Sequence, residues 1–222
     1  MKREYIDHGF IEYPYHPLVE KIVCVYDGPC TVHYRNAPPK TVLVECSSYN
    51  HQYGYPISED GQTMFVSSWE KGLSAYDIQT NDLLWRLKRS RITRTFVYPT
   101  YVVTTRYGVA LLKFDVRSGE VLAELKSGTI DRAWGLQAPY ILVESYRGKL
   151  AVVDTERMAV VKTYQKRSVN PNCCLSLIIQ NVQAENNTLT ISGLEECPNG
   201  DMWARGQTPF TRVLDTALYD GL

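Results

Sequence analysis

Three stretches of this chain lie over one another without a gap: residues 74–84, 112–122 and 151–161. Asp77, Asp115 and Asp154 hold the same place in each, spaced 38 and then 39 residues apart. An apolar residue precedes each Asp, and an apolar pair follows at a fixed offset: Leu83-Leu84, Val121-Leu122 and Val160-Val161. The upstream halves match as well. Residues 64–68, 101–105 and 140–144 are runs of strand length, each leading into a polar turn that holds Gly72, Gly108 or Gly148. Pro56, Pro99 and Pro139 stand shortly before these runs, where a missing N–H costs a sheet nothing. A period of this length constrains the fold more tightly than any composition can.

Each unit reads as strand, Gly turn, strand, polar turn, strand, rich in Val, Tyr, Leu and Thr. A helix over 73–87 also satisfies the periodicity, but the matching segments carry Gly119 and β-branched pairs. One such unit cannot bury both faces of its sheet, whereas units stacked radially cover each other. The clearest repeats span 57–98, 99–138 and 139–180. Degenerate units flank them. Residues 20–26, 30–35 and 41–46 read as three strands. Residues 175–180 and 189–192 read as strands around Glu185-Asn186-Asn187, followed by an irregular stretch over 195–206 and a last match at Val213-Leu214-Asp215-Thr216.

The pattern Tyr76-Asp77-Ile78 through Thr80-Asn81-Asp82-Leu83-Leu84-Trp85, and Phe114-Asp115-Val116-Arg117-Ser118-Gly119-Glu120-Val121-Leu122, resembles the repeat of PQQ-like (quinoprotein-type) and WD40-like β-propellers. Ile57-Ser58-Glu59-Asp60-Gly61 is similar to the polar turn that enters a propeller blade. The resemblance covers residues 57 to about 164. It departs from the pattern where Ala123 and Lys162 replace the tryptophan and Met158 replaces the turn Asn or Gly. It implies an all-β fold: one small β-propeller over 1–222, of about five blades with three to four antiparallel strands each. Counting on from Asp215, the last unit lacks a strand. Residues 9–13 alternate as a strand does and are expected to close that blade, removing two open sheet edges. A PQQ cofactor is not implied, since quinone-binding members need many more residues and a complete ring; no cofactor is expected.

Lys and Arg number 24, Asp and Glu 24, and apolar residues make up 44%. Enough apolar groups are present to exclude a disordered chain, and the absence of a basic excess argues against a dedicated nucleic-acid binder. The 16 Tyr against 5 Phe favour strands and half-wet surfaces, because Tyr joins an apolar ring to a polar tip. The opening MKREYIDHGF has no apolar core of a secretory signal, and no stretch is apolar enough for a membrane helix. The six cysteines form no C-x-x-C pair. A cytoplasmic protein with reduced, mostly buried thiols is therefore expected, with no membrane partner.

Catalytic signatures such as G-x-S-x-G, H-E-x-x-H, Walker A and the Rossmann fingerprint are not found in the sequence. Cys30 and His33, with Cys46 and His51, are spaced loosely for a metal, and period-two strands scatter such residues inward without one. All four histidines (His8, His16, His33, His51) and eight of the 16 tyrosines fall within residues 1–55, where they serve to pack a degenerate first blade. The recurring Asp residues are expected to bond to the amides of their own turns.

The one dense charge run is Arg86, Lys88, Arg89, Arg91 and Arg94, with Leu87 and Ile92 interleaved. It fits either a strand edge guarded against pairing or a docking patch for an acidic protein partner. A phosphate backbone fits it less well. The favoured function is a non-enzymatic protein–protein interaction module, in the role of a bacterial inhibitor or immunity protein. Two alternatives stay open. One is a five-bladed carbohydrate-active enzyme with carboxylates such as Glu45, Glu144 and Asp201 converging on a central channel. The other is a small-ligand sensor that uses the channel mouth. A dimer also stays open, since an incomplete ring can close on a second copy.

Overall fold

The computed structural model describes residues 8–12, 16–25, 29–44, 55–108, 110–126, 130–145, 149–166, 176–198 and 205–220. Among them every regular element is a β-strand, arranged in five antiparallel sheets. The first sheet holds β1 (His8–Glu12), β2 (Val19–Val25), β3 (Cys30–Tyr34) and β4 (Lys40–Val42). The second holds β5 (Thr63–Ser68), β6 (Gly72–Asp77) and β7 (Leu83–Leu87). The third holds β8 (Ile92–Val97), β9 (Tyr101–Arg106), β10 (Ala110–Asp115) and β11 (Val121–Leu125). The fourth holds β12 (Ile130–Gly135), β13 (Tyr140–Ser145), β14 (Lys149–Asp154) and β15 (Ala159–Gln165). The fifth holds β16 (Ser176–Glu185), β17 (Thr188–Pro198) and β18 (Arg205–Asp215). The chain forms two compact units, Met1–Ile130 and Asp131–Leu222.

In the first unit the middle sheet is covered on both faces, because β5 sends alternate side chains to opposite sides. Met64 and Val66 join Ile22, Val32 and Val42 of the first sheet in one core. Phe65, between them, joins Val102, Leu112 and Phe114 of the third sheet in another. This explains why β5 is buried along nearly its whole length while the last strand, β7, is exposed at Leu83 and Leu84. In the second unit Leu142, Leu150 and Val152 pack on Leu177, Ile179, Ile191 and Phe210.

The apolar pair that recurs in the sequence is a β-bulge. In three sheets the last strand slips by one residue at this pair, leaving Leu84, Leu122 and Val161 without a ladder partner; β18 slips separately at Leu214, near its C-terminal end. Two adjacent side chains then oppose one on the neighbouring strand, which is why two apolar residues stand together where strict alternation would allow one.

Three expectations are corrected. The N-terminal strand pairs with β2, from His8 opposite Val25 to Glu12 opposite Lys21, while β18 pairs with β17 in the fifth sheet. A hairpin partner so near in sequence closes a short loop at little entropic cost, whereas reaching the last sheet would close a very long one. The stretch read as irregular over 195–206 instead extends two long strands, β17 to Pro198 and β18 from Arg205. Cys24 and Cys30 form a disulfide, since β2 and β3 place them directly opposite one another with Cα atoms 4.1 Å apart. That bond removes the support that reduced thiols gave to a cytoplasmic location. Cys46, Cys173, Cys174 and the Cys197 side chain lie outside the described residues.

Candidate functional site

The recurring aspartates are turn residues, as their period implied. The Asp77 carboxylate accepts from the amides of Gln79 and Thr80 at 2.7 and 2.8 Å. Asp115 accepts from Arg117 and Ser118 at 3.0 and 2.7 Å, and Asp154 from Glu156 and Arg157 at 2.9 and 3.0 Å. The Ser118 amide, first among these bonds, holds the Asp115 carboxyl below its ordinary value. Four residues on, Asn81, Gly119 and Met158 all take positive φ, at 66°, 70° and 52°. Asn and Gly suit that conformation; Met does not.

These turns also receive the preceding sheet. Trp85 of β7 donates its indole N–H to the Val116 carbonyl at 3.2 Å, and its ring occupies the space above Gly119. In the second unit Lys162, at the position matching Trp85, reaches the turn that follows β18. Its ammonium donates to the Ala217 carbonyl and to Asp215, the latter at 3.4 Å. Tyr164 donates its hydroxyl to the same carboxylate at 2.6 Å. That bond holds the Asp215 carboxyl below its ordinary value, and burial pushes the Tyr164 phenol up.

The five basic residues of the run divide among three elements. Arg86 on β7 lies along its own sheet and donates to Ser74 Oγ at 3.0 Å and to the Tyr76 hydroxyl at 3.3 Å. Lys88, Arg89 and Arg91 occupy the connection from β7 to β8, with Lys88 and Arg91 exposed. Arg89 forms an ion pair with Glu124 of β11 at 3.7 Å. Arg94 is exposed on β8, where a register shift frees its backbone. The buried Thr105 and Thr104 hydroxyls take over, accepting from the Arg94 amide at 2.9 Å and donating to its carbonyl at 2.8 Å.

Sequence reasoning missed two aromatic residues beside this connection. Trp69 begins the turn after β5, and Tyr107 begins the turn after β9. Their rings meet at 5.4 Å between centroids, inclined by 49°. The backbone of Arg91 ties them together: its N–H donates to the Trp69 carbonyl at 2.6 Å, and its carbonyl accepts from the Tyr107 amide at 2.8 Å. Arg106 donates from Nε to the Ser90 carbonyl at 3.2 Å. The available signal was that both aromatics flank the Gly turns of aligned repeats.

At the opposite end of these strands lies an open cleft of about 540 Å³, lined by Ser58, Glu59, Asp60, Leu84, Tyr98, Pro99 and Arg117 among others. Asp60 is committed to its own turn, accepting from Ser58 Oγ at 2.5 Å and from the Gln62 amide at 3.0 Å. Tyr98 stacks on Tyr101 at 4.6 Å, and the Lys113 ammonium sits 4.0 Å from the centre of the Tyr101 ring.

No model of a known protein family matches this chain, and no curated protein matches its sequence. Its structure is similar to the crystal structure of BamB from Moraxella catarrhalis, with a TM-score of 0.52 at 10% identity, over 77% of this chain and 54% of BamB. The fold is β-propeller-like. BamB is a PQQ-like β-propeller repeat protein, and likeness at this identity speaks for fold alone. The chain spans about half the length of BamB. Among the described residues no strand closes the sheets into a complete ring.

Of the carboxylates considered for an enzyme, Glu144 is buried and ion-paired with Lys166, which gives it a structural partner. Glu45 and Asp201 lie outside the described residues, as do Cys46 and His51. His16 is a cross-link: its Nε2 bonds the Ser58 carbonyl at 3.0 Å, and its Nδ1 accepts from the amides of Leu18 and Val19 at 3.1 and 3.0 Å.

Proposed function

We propose that this chain is a non-enzymatic protein-binding module that docks an acidic partner surface through the β7–β8 connection and Arg94. One observation carries this reading: the cations of that connection stand at the surface with weak internal commitments. Lys88 and Arg91 are exposed, and the Arg89–Glu124 pair is part-exposed at 3.7 Å. Such a pair contributes little to folding and exchanges readily for a partner's carboxylate. The edge strands β7 and β11 expose further apolar surface toward the cleft, where Leu83, Leu84, Val121 and Leu122 are 40–51% exposed. The finer form of the proposal is an inhibitor that covers its partner, as a bacterial immunity protein does. Capture from the native host should yield a stoichiometric protein, and the double variant Arg89→Glu, Arg91→Glu should lose it. Undiminished capture by a folded double variant would remove the connection from the interface.

A small-ligand role is the second reading, favoured by the cleft at the other end of the strands. A saccharide or peptide panel that raises the melting temperature of the chain, with loss of the shift in Tyr98→Ala, would establish it.

A further inference from the structure

We infer that Trp69 and Tyr107 are the anchors of the docking surface, and that its partner is an acidic protein segment with an apolar or aromatic side chain among its carboxylates. The inference rests on the protein-binding role above and names its surface and its partner chemistry.

Three neighbouring turns of the first unit converge here. The β7–β8 connection runs between the β5–β6 turn and the β9–β10 turn, so close to Gly72 that a Cβ there would lie 1.9 Å from the Leu87 carbonyl oxygen. Gly72 has a φ of +90°, which permits that turn. The result brings Lys71, Arg89, Arg91 and Arg106 around one half-buried Trp–Tyr pair. Aromatic rings beside arginines are the residue types that dominate protein interfaces, because the rings bury a large area with few rotors and the guanidinium forks pair carboxylates.

Arg91 adds an independent reason. Its φ is +68°, a conformation that favours Gly or Asn and strains an arginine. Its backbone groups are both used locally, and its side chain is exposed. The strained position therefore carries a long cation outward beside the aromatic pair, the kind of outlier that accompanies function.

The charges favour protein over phosphate. Glu70 lies on the same turn as Trp69, and Glu124 pairs with Arg89. The whole chain is neutral, with 24 residues of each sign. A nucleic acid or an anionic bilayer needs an uninterrupted basic surface, while a protein segment can match a mixed one.

The test uses the full chain and a fluorescein-labelled Asp/Glu-rich peptide containing one Trp-free aromatic residue, read by anisotropy and by intrinsic Trp fluorescence. Binding should weaken steeply with salt and quench the Trp69 emission. Trp69→Ala and Tyr107→Ala should each weaken it roughly ten-fold or more, Arg91→Gln and Arg106→Gln several-fold. Trp69→Phe should largely retain affinity but lose the quench, which holds even if the alanine variants fold poorly. No binding at low salt, undiminished binding by the folded Arg91→Gln protein, a quench that survives in Trp69→Phe, or tighter binding of single-stranded DNA or phosphatidylserine vesicles would each overturn the inference. If native partner capture is lost in Arg89→Glu, Arg91→Glu but unaffected at Trp69 and Tyr107, the anchors are wrong and the binding role stands. Capture unaffected by either set refutes both.

Discussion

Trp85 lies on Gly119. The indole occupies the volume a side chain would need, since a Cβ on Gly119 would come within 2.5 Å of the ring. This one contact seats the second sheet on a turn of the third and ties two repeat features, the tryptophan and the turn glycine, into one device.

Replacing Gly119 by Ala should therefore destabilise strongly, by about 2–3 kcal/mol, through both the clash and the positive φ of 70°. Trp85→Ala should cost a similar amount by emptying its site. In the double variant the second loss should be much smaller, because the clash is gone. Urea unfolding of the four proteins measures this, and strict additivity would show that the residues act separately.

Met158 holds the same turn position with a φ of 52° and no freedom from a Cβ. Met158→Gly should raise stability by about 1 kcal/mol, a gain that thermal melts can read as a few degrees. A drop in melting temperature would mean that the Met158 side chain supplies more than its backbone conformation costs.

Asp215 is held ionised by Tyr164 and Lys162. Its pKa is lowered in the folded chain, so its contribution is present above the ordinary carboxylate range and is lost as pH falls through the folded value. Tyr164→Phe should cost about 1 kcal/mol at pH 7. Asp215→Asn should be less stable than the natural chain at pH 7, with the gap closing below about pH 4. An unchanged gap at pH 2 would contradict the assignment.

Glu144 and Lys166 form a pair whose side chains are only 6% and 15% exposed. Lys166→Ala leaves a buried carboxylate alone and should cost about 3 kcal/mol, while Glu144→Leu with Lys166→Met should come close to neutral. If Lys166→Ala is harmless, water or another group must reach Glu144 in the folded chain.

The repeat was legible because its causes are local. An Asp that caps its own turn, a residue four later with positive φ, and a two-residue bulge are set by neighbours within a dozen positions. The same was true of β2, β3 and β4 in the first sheet. The proposed docking surface was only half legible. Arg89 and Arg91 stand out as a charge run, but Trp69 and Tyr107 lie well to either side in sequence and meet only in the folded chain, ring against ring and through the Arg91 backbone. Arg86, from the same run, turns onto its own sheet because Ser74 and Tyr76 offer oxygens there. Nothing in the spacing of five cations distinguishes it from the others.

What the sequence determined by itself was the all-β repeat with its turns, since each turn is an exchange between adjacent residues and their own backbone. Tertiary structure alone decided which partner β1 takes, that Cys24 meets Cys30, and which cations face outward beside an aromatic pair. Those outcomes depend on strand register, on loop closure and on which sheets cover one another, and residue spacing alone leaves each of them open.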